Sequence, residues 1–369
     1  MDRIGLLIAT FMLFFITVDG KGSNNGNTII MPLTIAAGNN LSNGREDVQI
    51  FEFFDFKRII AATDDFSDMK IIGKGQLGPV YKGVLENGEE IAVKRVSRSA
   101  HNGNEQLKNE LNLLARLKHK NLVKLMGFCI QQQEIILCFE FMPNHSLDLL
   151  LFGIILEEEV ELNWEQRSRL IQGISSGLLY LHEDYGHTII HRDVKPANIL
   201  LDKDMVPKIS DFGISRLFEE DRSFFTTSTI GGTRGYMSPE LQSGMLSTKA
   251  DVYSFGMVVL EIISGIRNTS CPSGLVSLVL EYLNEGRILD LKDARLREPC
   301  SDGEIKRSIH IALLCLLEEP HRRPDMRQIN HWLTCQSTHP PTLPVQASHW
   351  GNIVIDRSTV VDSSTLLQT

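Results

Sequence analysis

Hydrophobic and polar positions follow two different periods along the chain. Residues 69–96 contain two runs in which apolar and polar side chains alternate, KIIGKGQLGPVYKGVL and EEIAVKRV, which is the period of a half-buried β-strand. The Asn87-Gly88 pair between these runs predicts a tight hairpin turn. A helical pattern at 103–117 precedes two more strand-like runs, LVKLMGFCI and EIILCFEFM. This part of the chain therefore predicts an antiparallel sheet with one helix.

Beyond Pro143 the apolar positions recur at helical spacing. The helices predicted on this basis are Trp164–Tyr185, Lys249–Ser264, Gly274–Glu285 and Asp302–Glu318. A small sheet followed by a larger group of helices predicts an α+β fold with two lobes, a β-sheet lobe first and a helical lobe second.

The first 66 residues differ in pattern from these lobes. Residues 4–18 form an unbroken apolar run of 15, which is short for a bilayer span and fits the core of a signal peptide. A marginal N-terminal membrane anchor is the alternative. Further on, a set of residues at helical spacing predicts a short amphipathic segment docked on the sheet lobe. These residues are Phe53, Phe56, Ile59, Ile60 and Thr63.

The predicted organisation follows from these changes in pattern. It consists of a signal-peptide-like or anchor segment at 1–20, a flexible linker at 21–50, a juxtamembrane-like segment at 51–66, a two-lobed domain at 67–335 and a disordered tail at 336–369. The N-lobe of the domain is expected to span 67–142 and the C-lobe 143–335.

Composition narrows the class of protein. The chain has 42% hydrophobic and 22% charged residues, which is typical of a globular protein. Its formal net charge of −9 argues against nucleic acid as a main partner. The six cysteines show no Cys-x-x-Cys spacing and mostly lie in apolar runs, so they predict buried free thiols instead of a disulfide framework or a zinc site.

A glycine-rich motif opens the sheet lobe. Residues 73–78 read GKGQLG, a G-x-G-x-x-G pattern that is weak evidence alone, since a plain turn would also contain it. The strand-like run after Gly78 differs from a dinucleotide-binding fold, in which the third glycine opens a helix. No Gly-Lys-Ser/Thr follows, which excludes a Walker loop. The pattern predicts a loop between antiparallel strands whose N–H groups close over phosphates.

Two charged residues support a phosphate site. Lys94 lies within the apolar run IAVKR, and Glu110 lies on the predicted helix that follows. Taken singly, each is more typical of a solvated surface. Together with the glycine loop they predict an ion pair in which Glu110 holds Lys94 near the α- and β-phosphates of a nucleotide.

The strongest chemical signal lies in the segment HRDVKPANILL at 191–201. Asp193 can accept a hydroxyl proton, Lys195 can neutralise a transferring phosphoryl group, and Asn198 can hold magnesium. Asp211 in the sequence Asp-Phe-Gly offers a second magnesium ligand.

With these motifs in place, the chain resembles the eukaryotic protein kinases. It is most similar to the cytoplasmic part of the plant cysteine-rich receptor-like kinases, from about Phe51 to Trp332. The segments that carry the resemblance include GKGQLGPVYKG, IAVKR, HKNLVKLMGFC, HRDVKPANILLD, GTRGYMSPE, KADVYSFGMVVLEIISG and HRRPDM.

The resemblance implies a role for each matching residue. The implied catalytic residues are Asp193 as base, Lys195, Asn198 and the Lys94–Glu110 ion pair, with Asn198 and Asp211 as magnesium ligands. The implied ATP-binding residues are Ile72, Gly73, Lys74, Gly75, Gln76, Leu77, Gly78, Val80, Lys94, the gatekeeper Phe139, and Glu140 to Met142 of the hinge that binds adenine. Lys195 resembles the serine/threonine-specific version of the loop.

The resemblance also implies regulation. Arg192 is expected to pair with a phosphate on Thr226, Thr227 or Thr229, and Thr233 to help receive the substrate hydroxyl. Glu240 is expected to pair with Arg323, and Asp251 to anchor the catalytic loop from a buried helix. The chain departs from the family at Gly231-Gly232 and Arg234, next to the expected substrate-docking surface.

These observations predict a serine/threonine protein kinase of plant receptor-like kinase signalling that uses ATP and Mg²⁺ and is activated by activation-loop phosphorylation. The expected partners are protein substrates and other receptor-like kinases, with weak membrane association through residues 4–18. Because the kinase must meet ATP, it is expected in the cytosol or at the cytoplasmic face of the plasma membrane. The alternative is a catalytically idle scaffold with a kinase fold that binds partner kinases.

Overall fold

The computed structural model describes residues 52–75, 78–96, 110–111, 113–114, 116–131, 134–153, 162–218, 225–226, 231–296 and 301–343. The segments predicted at 1–20 and 21–50 lie outside these residues, as does the tail beyond 343. None of the helices in the described ranges is both long enough and apolar enough to cross a membrane.

Among the described residues, six strands form the sheet of the N-terminal lobe. These are β1 (Glu52–Phe53), β2 (Ile71–Gly75), β3 (Gly78–Val84), β4 (Glu90–Val96), β5 (Leu125–Gln131) and β6 (Glu134–Glu140), in the order β1-β5-β6-β4-β3-β2. The pairings are antiparallel except for the parallel contact of β1 with β5. Gly88 has φ 82°, and its N–H donates to the carbonyl of Leu85 at 2.8 Å. The hairpin predicted at Asn87-Gly88 is confirmed.

Residues 52–66, here called the cap segment, cover one face of this sheet. Helix α1 (Phe56–Ala62) begins at Asp55, whose Oδ1 accepts the N–H of Lys57 at 2.8 Å. Phe54 and Ile59 are fully buried in a cluster with side chains of β3 and β4. The structure thus docks this segment on the sheet as its helical spacing predicts. However, the deeply buried Phe54 precedes the helix and lies outside that periodicity, whereas Phe53 is largely exposed.

The cap segment and the side chain of Lys94 lie on opposite faces of the sheet. Tyr81 pairs with Val93, and both side chains belong to the cluster under the cap segment. Successive strand residues point to opposite faces, so Val80 and Lys94, which also pair with each other, face the other way. The sheet therefore has one face buried under residues 52–66 and another face toward the second lobe.

The second lobe is mainly helical. Its helices are α2 (Leu147–Leu151), α3 (Trp164–Leu179), α4 (Thr248–Ser264), α5 (Leu275–Asn284), α6 (Asp302–Cys315) and α7 (Met326–Thr334). A π-helical turn, Tyr180–Asp184, prolongs α3. The predicted helices are present, but the last one ends at Cys315 instead of Glu318. The periodicity did not predict α7, whose local signal is a capping box between Asp325 and Gln328 after Pro324.

Short two-stranded pairs lie around the loop at 191–198. Strand β7 (Thr188–Ile190) pairs with β10 (Arg216–Phe218), and β8 (Ile199–Leu201) pairs with β9 (Pro207–Ile209). A third pair joins β11 (Phe225–Thr226) to β12 (Met245–Leu246). Of these pairs, only β8–β9 is a hairpin. The sequence pattern predicted none of these strands, because runs of two or three residues are too short to show a period.

The chain keeps contacts with the folded lobe up to Pro341, six residues beyond the boundary predicted at 335. Arg307 donates to the carbonyls of Trp332, Cys335 and Thr338, and Nε2 of His310 lies 2.8 Å from the carbonyl of Pro341. Residues 336–341 are therefore attached to the folded lobe, and the predicted tail beyond 343 lies outside the described residues.

The five cysteines that the structure describes are all free thiols. Cys129, Cys138 and Cys315 are buried, as predicted, whereas Cys271 and Cys335 are only partly buried. Burial raises the pKa of Cys129 to about 12, with a smaller contribution from Asp55. Cys300 lies outside the described residues.

Candidate active site

The glycine-rich loop joins β2 to β3. Gly73 pairs with Val80, and Gly75 pairs with Gly78, whose φ of 144° favours glycine. Ile72 is exposed at the edge of the loop, while Gln76 and Leu77 at its tip lie outside the described residues. Lys74 pairs with Pro79 in the same ladder. The loop therefore lies between two antiparallel strands, as its sequence predicts.

Lys94 lies on β4, next to the glycine-rich loop through its pairing with Val80. Its Nζ donates to both carboxylate oxygens of Glu110 at 2.9 Å and lies 3.8 Å from Oδ1 of Asp211. Both Lys94 and Glu110 are buried. Burial disfavours the charged ammonium, but the nearby carboxylates of Glu110 and Asp211 outweigh this effect and hold the pKa of Lys94 above its ordinary value. The lysine is therefore a fixed positive charge.

The strand β6 runs into the predicted hinge. Phe139 and Met142 are buried, and Glu140 is partly exposed at the end of the strand. Phe139 pairs with Ala92, and Glu140 pairs with Ile91. The predicted gatekeeper and hinge residues thus lie beside β4, the strand that carries Lys94.

Three polar side chains surround the carboxylate of Asp193, which lies in the loop between β7 and β8. Asp193 accepts hydrogen bonds from Lys195 Nζ at 2.7 Å, from Asn198 Nδ2 at 2.9 Å and from Thr233 Oγ1 at 2.6 Å. Lys195 Nζ also donates to Thr233 Oγ1 at 2.7 Å. Burial alone would raise the pKa of Asp193, but the hydrogen bonds from Lys195 and Thr233 hold it below its ordinary range. The carboxylate is ionised and oriented.

The buried carboxylate of Asp251 fixes the backbone at the start of this loop. Asp251, in the first turn of α4, accepts the N–H groups of His191 at 2.7 Å and of Arg192 at 2.8 Å. His182 Nε2 lies 3.0 Å from the same carboxylate. Burial opposes the charge on Asp251, yet these partners keep its pKa below the usual range. They also stabilise Arg192 at φ 73°, a left-handed conformation rare for residues with side chains.

Asn198 and Asp211 present a donor set that fits magnesium. Nδ2 of Asn198 donates to the carbonyl and the carboxylate of Asp193, which leaves its amide oxygen for a cation. Asp211 is half-exposed at φ 67°, next to the buried Phe212. Over the described part of the chain, no cluster of three His, Cys, Asp or Glu side chains could hold a metal. Two oxygen ligands fit Mg²⁺, which usually completes its shell with water and phosphate oxygens.

The predicted regulatory residues are only partly within the described chain. Arg192 is buried, and its Nη1 donates to the carbonyl of Ile214 at 3.2 Å. Thr226 belongs to β11, where its backbone pairs with Met245. Thr227 and Thr229 lie outside the described residues. The expected pairing of Arg192 with a phosphate therefore stays a prediction.

A network that the motif analysis missed holds the segment after Thr233. Tyr236 Oη donates to the Glu261 carboxylate at 2.8 Å, and the N–H of Asn268 donates to the same carboxylate at 2.8 Å. Asn268 Nδ2 donates to the carbonyl of Gly235 at 2.9 Å. Burial raises the pKa of Glu261 to about 7, against the lowering effect of its hydrogen bonds. The signal available in the sequence was a glutamate within the apolar run VVLEIIS of α4.

A buried ion pair joins Glu240, which follows this segment in the chain, to Arg323. Arg323 donates from Nη1 and Nη2 to the two carboxylate oxygens of Glu240 at 2.7 and 2.9 Å. The guanidinium also donates to the carbonyls of Leu317, Glu318 and Lys249. The pairing predicted from the sequence is therefore present, in the bidentate geometry that arginine favours.

Comparisons with known proteins agree with this geometry. A family model for the protein kinase domain matches residues 66–332. The chain is 49% identical over 300 residues to cysteine-rich receptor-like protein kinase 34 of Arabidopsis thaliana, covering 79% of this chain and 44% of that protein. It is 47% identical over 306 residues to cysteine-rich receptor-like protein kinase 6 of Oryza sativa subsp. japonica, covering 81% and 44%. The chain thus spans less than half the length of these relatives.

Proposed function

The chain belongs to the protein kinase family, and we propose that it transfers the γ-phosphoryl group of ATP to serine and threonine hydroxyls of proteins in plant receptor-like kinase signalling. The observation that carries this proposal is the oriented carboxylate of Asp193, with Lys195, Asn198 and Thr233 in hydrogen-bond contact. This arrangement supports a reaction that depends on positioning and charge neutralisation.

In the proposed reaction, Asp193 accepts a hydrogen bond from the substrate hydroxyl and takes its proton as the hydroxyl oxygen attacks the γ-phosphorus. The bond between the γ-phosphorus and the β–γ bridging oxygen breaks at the same time, and ADP leaves. Thr233 and Lys195, which contact Asp193 at 2.6 and 2.7 Å, keep the carboxylate ionised and aimed. Lys195 also lies where its positive charge can stabilise the phosphoryl group during transfer.

The nucleotide would lie between the two lobes. The glycine-rich loop would close over the phosphates, Lys94 would neutralise the α- and β-phosphates, and the hinge main chain at 140–142 would bind the adenine. The buried Lys94–Glu110 pair, with 2.9 Å contacts, supports this because it fixes the lysine before the nucleotide arrives. Magnesium, when bound, neutralises the phosphates, and the oxygen atoms of Asn198 and Asp211 are the groups proposed to hold it.

Activation by phosphorylation forms part of the proposal. A phosphate on Thr226, Thr227 or Thr229 would pair with the guanidinium of Arg192. Arg192 follows His191, and its backbone N–H is held by Asp251, so a charge at Arg192 would act directly on the loop that carries Asp193.

The proposed partners are protein substrates and other receptor-like kinases, and the proposed location is the cytosol or the cytoplasmic face of the plasma membrane, where ATP is present. An idle scaffold with a kinase fold is the competing function. Lys94, Glu110, Asp193, Asn198 and Asp211 are all present, so no observation favours it.

The test is transfer of radiolabel from ATP to casein by the purified chain with magnesium, followed by identification of the labelled amino acids. The Asp193→Asn variant should fold normally and lose transfer by about 10²- to 10⁴-fold. Asp204→Asn, at an exposed position in the turn between β8 and β9, is the matched control and should keep wild-type activity.

Label on serine or threonine that disappears only in Asp193→Asn would support the proposal. Label on tyrosine alone would contradict the substrate class. A folded wild-type chain that binds ATP without transferring label would instead support the scaffold function.

A further inference from the structure

Glu140 connects three segments of the chain at the border of the two lobes. Its main-chain N–H donates to the carbonyl of Lys124 at 3.1 Å. Its carboxylate oxygen Oε1 accepts the N–H of Lys124 at 2.8 Å and lies 3.2 Å from Nζ of Lys208. One oxygen atom therefore joins the end of β6 to the residue before β5 and to β9.

The Glu140–Lys208 ion pair is well shielded from solvent. The side chains of Lys208 and Glu140 are 13% and 26% exposed. The pair between Lys70 and Asp64 has the same 3.2 Å separation, but its side chains are 33% and 65% exposed. Because water and salt screen exposed charges strongly, the Glu140–Lys208 pair is the stronger of the two.

The two partners lie on segments that the proposed function uses. Glu140 begins the hinge, whose main chain would bind adenine. Lys208 lies on β9, three residues before Asp211, a proposed magnesium ligand. Strand β9 is itself fixed by two backbone hydrogen bonds. The N–H of Ile209 donates to the carbonyl of Asn121 at 2.9 Å, and the carbonyl of Ile209 accepts the N–H of Val123 at 3.0 Å. The ion pair thus links the hinge, which is proposed to bind adenine, to the strand before Asp211, which is proposed to bind magnesium.

We propose that the Glu140–Lys208 ion pair is a positioning element for the nucleotide, which holds the hinge main chain at a fixed distance from β9, the strand that precedes Asp211. This inference rests on the proposed function. Neither side chain needs to touch the nucleotide, because the pair acts by preorganising the hinge. Loss of the pair weakens nucleotide binding and leaves the positioning of Asp193 intact.

The experiment measures kcat and KM for ATP in the full chain with Lys208→Met. We expect KM for ATP to rise about 3- to 10-fold with kcat changed less than about 2-fold. Lys208→Arg, which retains the charge, should restore most of the ATP affinity. Lys70→Met removes the lysine of the exposed Lys70–Asp64 pair and should leave both constants unchanged.

Binding is measured separately from catalysis, with a fluorescent ADP analogue and magnesium on the Asp193→Asn background. There, Lys208→Met, Glu140→Gln and the double variant should weaken binding by the same factor, since either single change breaks the pair. Glu140→Gln also serves if Lys208→Met does not fold.

Two results would overturn the inference. One is unchanged ATP affinity in Lys208→Met despite normal transfer by the wild-type chain, and the other is additive effects of the two single changes. Failure of the proposed function looks different, because the wild-type chain itself would then transfer no phosphate, whether or not it bound the ADP analogue.

Discussion

Lys94 and Glu110 form a buried ion pair in which both carboxylate oxygens lie 2.9 Å from the ammonium nitrogen, although the residues are 16 positions apart in the chain. The next carboxylate, that of Asp211, is 3.8 Å from the same nitrogen. Lys94 therefore lies between two carboxylates, and its shorter contacts with Glu110 fix the position of the ammonium group.

We expect Glu110→Gln to lower kcat/KM for ATP by about 10²-fold, because a neutral amide no longer holds Lys94 against the pull of Asp211. Steady-state kinetics at several ATP concentrations measure this effect. Glu86→Gln, an exposed change in the β3–β4 hairpin, is the control. A Glu110→Gln variant within 2-fold of wild type would show that the pair does not position Lys94 for the reaction.

Thr233→Ala should lower kcat and shift the acidic limb of the pH profile. Thr233 donates to Oδ1 of Asp193 at 2.6 Å, and this bond contributes to holding the pKa of Asp193 below its ordinary range. Without the bond the pKa of Asp193 rises, so this proposed base becomes protonated at a higher pH and activity should fall earlier on acidification.

Thr233→Ser retains the hydroxyl and is the matched control for this change. Its profile of kcat/KM against pH should overlay that of the wild-type chain. Identical acidic limbs for Ala and Ser at position 233 would argue that Thr233 does not tune Asp193.

Glu261 should make the folded state less stable as the pH rises. Its pKa is raised to about 7 in the folded protein, above the ordinary value of 4.5, because it is buried. The folded state therefore binds the proton more tightly than the unfolded state does. The stabilisation is fully present below pH 4.5 and is lost as the pH rises through about 7, by on the order of 3 kcal/mol.

The measurement is the free energy of unfolding in urea from pH 5 to 8, for the wild-type chain and Glu261→Gln. Other groups titrate in both proteins, so the difference between the two curves isolates Glu261. We expect this difference to shift in favour of the glutamine variant as the pH rises. A difference that is independent of pH would contradict the raised pKa.

The Glu240–Arg323 pair should be important for stability. Arg323→Ala leaves the buried Glu240 carboxylate without its bidentate partner and removes the donor to three carbonyls, so we expect a loss of about 3–5 kcal/mol in the free energy of unfolding. Arg322→Ala, next to it and paired only at 3.9 Å with Glu319, should cost less than 1 kcal/mol. Equal losses in the two variants would refute this assignment.

Gly127→Ala should displace the start of the cap segment. A Cβ at Gly127 would lie 2.0 Å from the carbonyl oxygen of Glu52 and 2.8 Å from the Phe54 ring, so the β1–β5 contact must open. We expect a loss of about 1–3 kcal/mol and faster hydrogen exchange at the amide of Phe54. Gly303→Ala, whose Cβ meets nothing closer than 3.8 Å, is the control.

The sequence predicted the parts of the molecule whose signal is local. The Asn87-Gly88 hairpin, the long helices of the second lobe and the two-lobed α+β fold were all evident from period and turn chemistry. The segment from Asp193 to Asn198 predicted one short loop that carries Asp193, Lys195 and Asn198, and the structure brings these side chains into contact. Strands of two or three residues such as β7 and β11 were not predictable, because their pairing depends on distant partners.

The side-chain networks were harder to predict for the same reason. The contacts among Glu261, Tyr236 and Asn268 bring together residues up to 32 positions apart in the chain. A lone glutamate in an apolar helix signals that a buried partner exists, but it does not identify the partner. Likewise, Lys208 shows no pattern that would associate it with Glu140, and only the fold brings them to 3.2 Å.

The attachment of the loop that carries Asp193 to Asp251 has a consequence for how the protein responds to heat. Because this carboxylate is buried in the first turn of α4 and holds the amides of His191 and Arg192, the loop cannot loosen unless the helical lobe does. Warming should therefore not produce a folded but inactive form by melting the loop first. Phosphoryl transfer would persist up to the cooperative melting of the lobe and return when the lobe refolds, so that residual activity reports the fraction of folded molecules.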